Sequence, residues 1–101
     1  AGGDAVVLEE DALAYQTLHT FRPRRIPLGG VLACHPKTET QALRFVYESS
    51  PGRAREFFLN LGLIDGRTEF LTRLGDSLEA RGLEPVAGRR WSWLKPGWSE
   101  E

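Results

Sequence analysis

Cys34 is the only cysteine in 101 residues, so no internal disulfide can staple the chain. Its fold must therefore be held by a packed apolar core. A chain of this length buries one modest core and is too short for two. Residues 1–101 are expected to form a single domain, with 1–4 and 98–101 frayed at its ends. Hydrophobic residues make up 41% of the chain and charged residues 27%, the balance of a globular protein rather than a disordered one. The apolar runs are far shorter than the roughly 20 residues a membrane-crossing helix needs. No basic stretch followed by an apolar one opens the sequence as a signal peptide would. The lone thiol points to the cytoplasm or another reducing intracellular compartment. The absence of methionine marks the chain as processed or cut from something longer.

The formal charge is only −1, yet the charges are segregated. Residues 1–11 carry Asp4, Glu9, Glu10 and Asp11 and no base, and the last three residues add Glu100 and Glu101. Residues 12–98 hold all thirteen bases against eight acids, a body of +5 between ends of −4 and −2. The bases cluster as Arg22, Arg24 and Arg25; as Arg53 and Arg55; and as Arg89 and Arg90 beside Trp91 and Trp93. Such clusters are the electrostatic footprint of a phosphate-contacting surface, and equally of a solvated face laced with ion pairs.

Local pattern predicts three helices. Asp11 is a suitable N-cap for a helix within residues 12–21, where Ala14, Leu18 and Phe21 recur at helical spacing, with Leu8 as a staple. Residues 26–35 read as extended, with Pro27 restricting them to an edge and Gly29 and Gly30 marking a bulge or turn. Residues 38–48 fit either a helix capped at Thr38 or a strand, and the strand formers Arg44-Phe45-Val46-Tyr47 favour a hairpin partner for 26–35. Ser50 and Pro51 look like the cap and first residue of a second helix, 51–62, whose stripe is Ala54, Phe57, Phe58 and Leu61. A third helix, 66–81, carries Phe70, Leu71, Leu74 and Leu78 and ends at Gly82; Gly75 inside it suggests close packing against a neighbour. Trp91 and Trp93 alternate after Ala87, Gly88 and Arg89, the pattern of a small hairpin over 87–93, with one tryptophan face against the 66–81 helix.

The order of two helices, 51–62 and 66–81, followed by a turn bearing Arg89, Arg90, Trp91 and Trp93 resembles a winged-helix domain over residues 51–96. Phe70-Leu71-Thr72-Arg73-Leu74 through Leu78-Glu79-Ala80-Arg81-Gly82-Leu83 is similar to the recognition helix of bacterial winged-helix regulators. The resemblance implies that Arg67, Thr68, Thr72 and Arg73 face a nucleic-acid groove and that Arg89 and Arg90 touch the backbone from the wing. Glu69, Asp76 and Glu79 on the same helix oppose that role, as does the extended character of residues 26–48.

Chemistry for catalysis is sparse. Cys34 and His35 are neighbours in an extended segment and point to opposite sides, so they cannot act as a nucleophile–base pair. With His19 they match no zinc spacing, and there is no CxxC. Ser49 and Ser50 lack a nucleophile-elbow context, and Gly29 and Gly30 lack the rest of a phosphate loop. No cofactor or metal is expected. The sequence thus predicts a small α+β domain with three helices and two short antiparallel hairpins, winged-helix-like in its C-terminal half. Its expected role is non-enzymatic binding, of nucleic acid through Arg67, Thr68, Thr72, Arg73, Arg89 and Arg90. The alternative is a protein partner or homodimer held through Trp91, Trp93 and Trp98; a small enzyme using Cys34 is third.

Overall fold

The computed structural model describes residues 5–16, 24–37, 39 and 41–98. Strands β1 (Ala5–Leu8), β2 (Ala12–Gln16) and β3 (Arg24–Pro27) form an antiparallel three-stranded sheet. Strands β4 (Val31–Lys37), β5 (Ala42–Ser50) and β6 (Arg53–Asn60) follow as a meander. The two-residue strands β7 (Glu84–Pro85) and β8 (Trp93–Leu94) complete a five-stranded sheet of order β6-β5-β4-β8-β7. Helix α1 (Arg67–Ala80) joins β6 to β7, and short 3-10 turns at Leu28–Gly30 and Leu61–Leu63 connect the layers.

The fold is therefore mostly β, with one α-helix among the described residues. This corrects the expected α+β domain of three helices and two hairpins, and with it the winged-helix-like arrangement of the C-terminal half. The expected helix 51–62 is strand β6, paired with β5 from Ser50↔Arg53 to Ala42↔Asn60. Pro51 and Gly52 begin no helix; they turn the chain, with Gly52 at φ 80°, where a side chain would be strained. The helical set Phe57, Phe58 and Leu61 competes with the alternating set Phe57, Leu59 and Leu61, and pairing with the nine-residue β5 decides for the strand. Phe57 and Leu59 then face the core, while Phe58 points away and is 49% exposed.

The first expected helix also gives way, since residues 12–16 are β2. Leu8 and Leu13 do meet, but as a cross-strand pair around a turn closed by the Glu9 N–H donating to Ala12 O at 2.8 Å. The remainder of that expected helix, residues 17–21, lies outside the described residues, as does Arg22. The extended reading of 26–35 holds, broken by the 3-10 turn at Gly29 and Gly30, and Pro27 sits in β3, an edge strand. β5 is the antiparallel partner of β4, as the strand reading of 38–48 required.

The third helix forms where its stripe puts it, with Leu71, Leu74, Gly75 and Leu78 buried. Its end is a Schellman motif: Leu83 N–H donates to Leu78 O (3.1 Å) and Gly82 N–H to Glu79 O (3.1 Å), with Gly82 at φ 95°. The hairpin expected over 87–93 is corrected: residues 87–92 are a turn, Trp91 is not in a strand, and the paired positions Glu84↔Leu94 and Pro85↔Trp93 flank that turn. One core joins the layers: Leu13 and Ile26 from the small sheet; Cys34, Leu43, Phe45 and Leu59 from the large one; Leu71, Leu74 and Leu78 from α1; and Trp93. On the opposite face of the large sheet, Leu32, Ala33 and Val46 form a smaller cluster beneath Leu94 and Trp98. No helix among the described residues is long and apolar enough to cross a membrane.

Trp93 lies on α1 at Gly75, where an added Cβ would stand 2.3 Å from Trp93 Cζ2. Alanine gains about 1 kcal/mol in helix propensity, but forcing a methyl into a filled site costs about 1–3 kcal/mol. Trp93 is held on the other side by its pairing with Cys34, so the ring has little room to retreat. Gly75→Ala is expected to lower unfolding stability in urea by about 1–2 kcal/mol, and to become neutral or stabilising in a Trp93→Leu background. Equal stabilisation in both backgrounds would refute the contact.

Cys34 is 0% exposed, and burial pushes its thiol well above the ordinary 9.0. The unfolded thiol therefore ionises first as pH rises. The stability linked to this group is full below its unfolded pKa and is lost as pH climbs from there toward the folded value. Denaturation curves across the alkaline range should show this loss in the native protein and not in Cys34→Ala. A thiol that reacts freely with a disulfide reagent in the folded protein at neutral pH would contradict its burial.

Candidate functional site

Three elements converge at one edge of the large sheet. β4 ends there in Pro36 and Lys37, the loop between β7 and β8 brings Arg89, Arg90 and Trp91, and the first turn of α1 brings Arg67 and Thr68. Pro36, Lys37, Arg89, Arg90 and Trp91 surround, with Glu39, an open cleft of about 610 Å³. An adjoining hollow of about 340 Å³ shares Pro36, Lys37, Arg90 and Trp91 and reaches Gln41, Arg67 and Thr68.

Each wall is placed by local backbone chemistry. β8 pairs with β4 at Ala33↔Leu94 and Cys34↔Trp93, which sets the preceding loop beside the far end of β4. Within that loop, Val86 N–H donates to Ser92 O (2.9 Å) and Arg89 N–H to Val86 O (3.2 Å). Gly88 supplies the positive φ of 78° at this turn. Trp91 also takes a left-handed backbone, φ 61°, a conformation that costs a residue with a Cβ roughly 1–2 kcal/mol. Its indole is held between the Arg90 guanidinium, 4.6 Å from the ring centre, and Trp93, at 6.4 Å. Gln41 is the other non-glycine residue at positive φ among those described, at 53°, and its carbonyl accepts from Leu61 N–H at 2.9 Å.

The electrostatics are lopsided. Among the described residues, four cations, Lys37, Arg67, Arg89 and Arg90, line the two hollows against one carboxylate, Glu39. Among the described residues none of the four is paired with an acid; the ion pairs lie elsewhere, between Arg25 and Glu9 and between Arg44 and Glu56. Lys37 and Arg90 instead stand over aromatic rings, Lys37 Nζ at 5.3 Å from the centre of Phe58. The first turn of α1 adds the positive end of a helix dipole at the same edge.

Of the residues singled out from sequence, Arg67, Thr68, Arg89, Arg90 and Trp91 come together here. Arg73 does not: it lines a separate groove between β1 and α1, with Val6, Leu8, Glu69 and Phe70. Thr72 is exposed, and its hydroxyl donates to Thr68 O at 3.0 Å. Trp93 is buried against α1, its indole N–H donating to Glu79 Oε2 at 3.4 Å, and Trp98 lies half-buried on the opposite face of the sheet. Sequence reasoning missed Lys37 and Gln41. The β4–β5 pairing was expected, but the β4–β8 register that sets the loop bearing Arg89 to Trp91 beside them has no local signal.

The other chemical candidates are dispersed. Cys34 faces the core with a protonated thiol, while His35, one step along β4, belongs to the opposite face. Ser49 Oγ donates to Arg53 O across the β5–β6 turn. Tyr15 stacks on Phe57 at 4.2 Å; burial raises its pKa, nearby Arg24 lowers it and Tyr47 raises it further. His19 lies outside the described residues. Among those described, no group of three or more His, Cys, Asp and Glu stands close enough to hold a metal ion. No family model matches this chain, and no curated protein is detectably similar to it.

Proposed function

We propose that this protein is a non-enzymatic binding module and that its ligand is nucleic acid, taken at the cleft between β4, the β7–β8 loop and the start of α1. The observation that carries the reading is the gathering of Lys37, Arg89 and Arg90 around one cleft, with Arg67 in the adjoining hollow and Glu39 the one acid among the described lining residues. Cations left without carboxylate partners in one cleft focus their field on an approaching polyanion. The guanidinium fork of arginine suits phosphate oxygens better than an ammonium does. The tryptophans give less support to a protein-partner or homodimer surface, since Trp93 is part of the core and Trp98 packs on Leu32, Ala33 and Val46. A reduced, buried thiol suits the cytoplasm or another reducing compartment, where nucleic acid is met.

Phosphate contacts release counterions, so affinity should fall steeply with salt, by a log–log slope of about −0.9 per neutralised phosphate on duplex DNA and about −0.7 on single strands. Anisotropy titrations of labelled oligonucleotides at about 50 mM and about 200 mM salt read this directly. Changing Arg89 and Arg90 together to Ala is expected to weaken binding at least tenfold and to flatten the slope. The control Arg53→Ala with Arg55→Ala, on exposed β6 away from the cleft, is expected to change little. Absence of binding to any nucleic acid at the lower salt would end the reading.

A further inference from the structure

We propose that the cleft takes a single strand rather than a duplex, its phosphates following the cleft cations while its bases stack at Phe58 and on the Arg90–Trp91 pair. This rests on the nucleic-acid reading above. Lys37 links the two stacking places: it lines the cleft, and its Nζ stands 5.3 Å from the centre of the Phe58 ring. Arg90 repeats the arrangement at 4.6 Å from Trp91. The Arg90–Trp91 pair is in the cleft wall, the Lys37–Phe58 pair adjoins it on the outer face of β6 through Lys37, and Arg67 continues the cationic line into the adjoining hollow. Aromatic platforms alternating with backbone-binding cations are what unpaired bases require, because every base has a π-face and needs no particular partner edge. A guanidinium lying on an indole offers a stacking plane of its own.

Phe58 has no evident structural reason to be where it is. It is 49% exposed, on the outer face of an edge strand, while Phe57 and Leu59 beside it serve the core. The Arg44–Glu56 ion pair adjoins it, so the surface at that point is close to charge-balanced and would not by itself hold phosphate. In the free protein Lys37 covers the ring; on binding, its flexible ammonium moves to a phosphate and a base takes its place. Trp91 fits the same picture, being held at φ 61° in the cleft wall by its neighbours. Backbone strain of this kind gathers where a side chain must be aimed. A duplex fits less well. Its major groove is read by a protruding helix or ribbon, whereas these cations ring a hollow, and Arg73 farther along α1 faces a different groove.

The test is anisotropy binding of the full chain to oligothymidylate and oligouridylate of about 12 nucleotides, within the ~4–16 a single-strand site covers. A mixed-sequence duplex of equal length and poly-glutamate are compared at the same salt. The expected result is at least tenfold tighter binding of single strands than of duplex, and none of poly-glutamate. Phe58→Ala, at an exposed position, should weaken single-strand binding about tenfold without changing its salt slope, and Phe58→Tyr should restore it. Duplex bound as tightly as single strands, or Phe58→Ala without effect, would overturn the single-strand proposal while leaving nucleic-acid binding standing. Poly-glutamate bound as tightly as oligothymidylate, or no nucleic acid bound at all, would overturn both.

Discussion

The contact of Trp93 with Gly75 underlies the C-terminal half of the molecule and the cleft with it. β8 is only two residues long, too short for its ladder with β4 to hold it unaided. Its place is fixed because the indole enters a notch in α1 that only a residue without a Cβ leaves open. That docking buries Trp93 in the main core and fixes β8 beside β4. It also orients the loop that carries Arg89, Arg90 and Trp91. A side chain at position 75 would press on the Trp93 ring, and through it on the β8–β4 pairing that sets the loop. A packing event in the core thus decides the geometry of a polar surface about one strand away.

What could be read from sequence depended on whether the deciding contacts were local. Helix α1 was readable because its stripe, its interruption at Gly75 and its Gly82–Leu83 ending all lie within the segment they describe. The hairpin of β4 and β5 was readable because Arg44-Phe45-Val46-Tyr47 is rich in strand formers and sits opposite another extended stretch. Residues 53–60 were not. Ala54, Phe57, Phe58 and Leu61 match a helix while Phe57, Leu59 and Leu61 match a strand, and Ser50 with Pro51 is as good a helix start as a turn. The pairing with β5 that settles the matter is not visible in the segment itself. At residues 12–16 the same competition was lost in the same way, with Asp11 serving a turn rather than a cap.

The cleft was half readable for a related reason. Arg89, Arg90 and Trp91 announce themselves as a cluster, and Arg67 and Thr68 follow from the start of α1. That these two groups share one concavity, and that Lys37 lies between them and Phe58, depends on the strand order β5-β4-β8, which joins residues about sixty apart in the chain. The winged-helix pattern attributed the same arginines to a helix pair that the chain does not form. Arg67, Thr68, Arg89 and Arg90 nevertheless lie near one another, while Thr72 and Arg73 do not join them, because strand order and not a helix pair decides which side chains meet.

The charge distribution argues in the same direction. Taken by sequence alone, the acidic first eleven residues face the basic body as a whole. In the fold, Glu9 and Asp11 sit at the β1–β2 turn beside Arg25 of β3, at 2.6 Å and 3.9 Å, and so answer a cation of their own small sheet. Arg44 is likewise answered by Glu56. These exposed pairs contribute little to stability, but they remove those arginines from the field that a ligand feels. At physiological ionic strength charges act over about 8 Å, so the sign at the cleft is set by the groups that line it. Those groups are four cations and Glu39, whatever the chain totals. A protein of net charge −1 can therefore carry a local concentration of cations, since Arg25 and Arg44 are answered by acids while, among the described residues, the four at the cleft and its adjoining hollow are not.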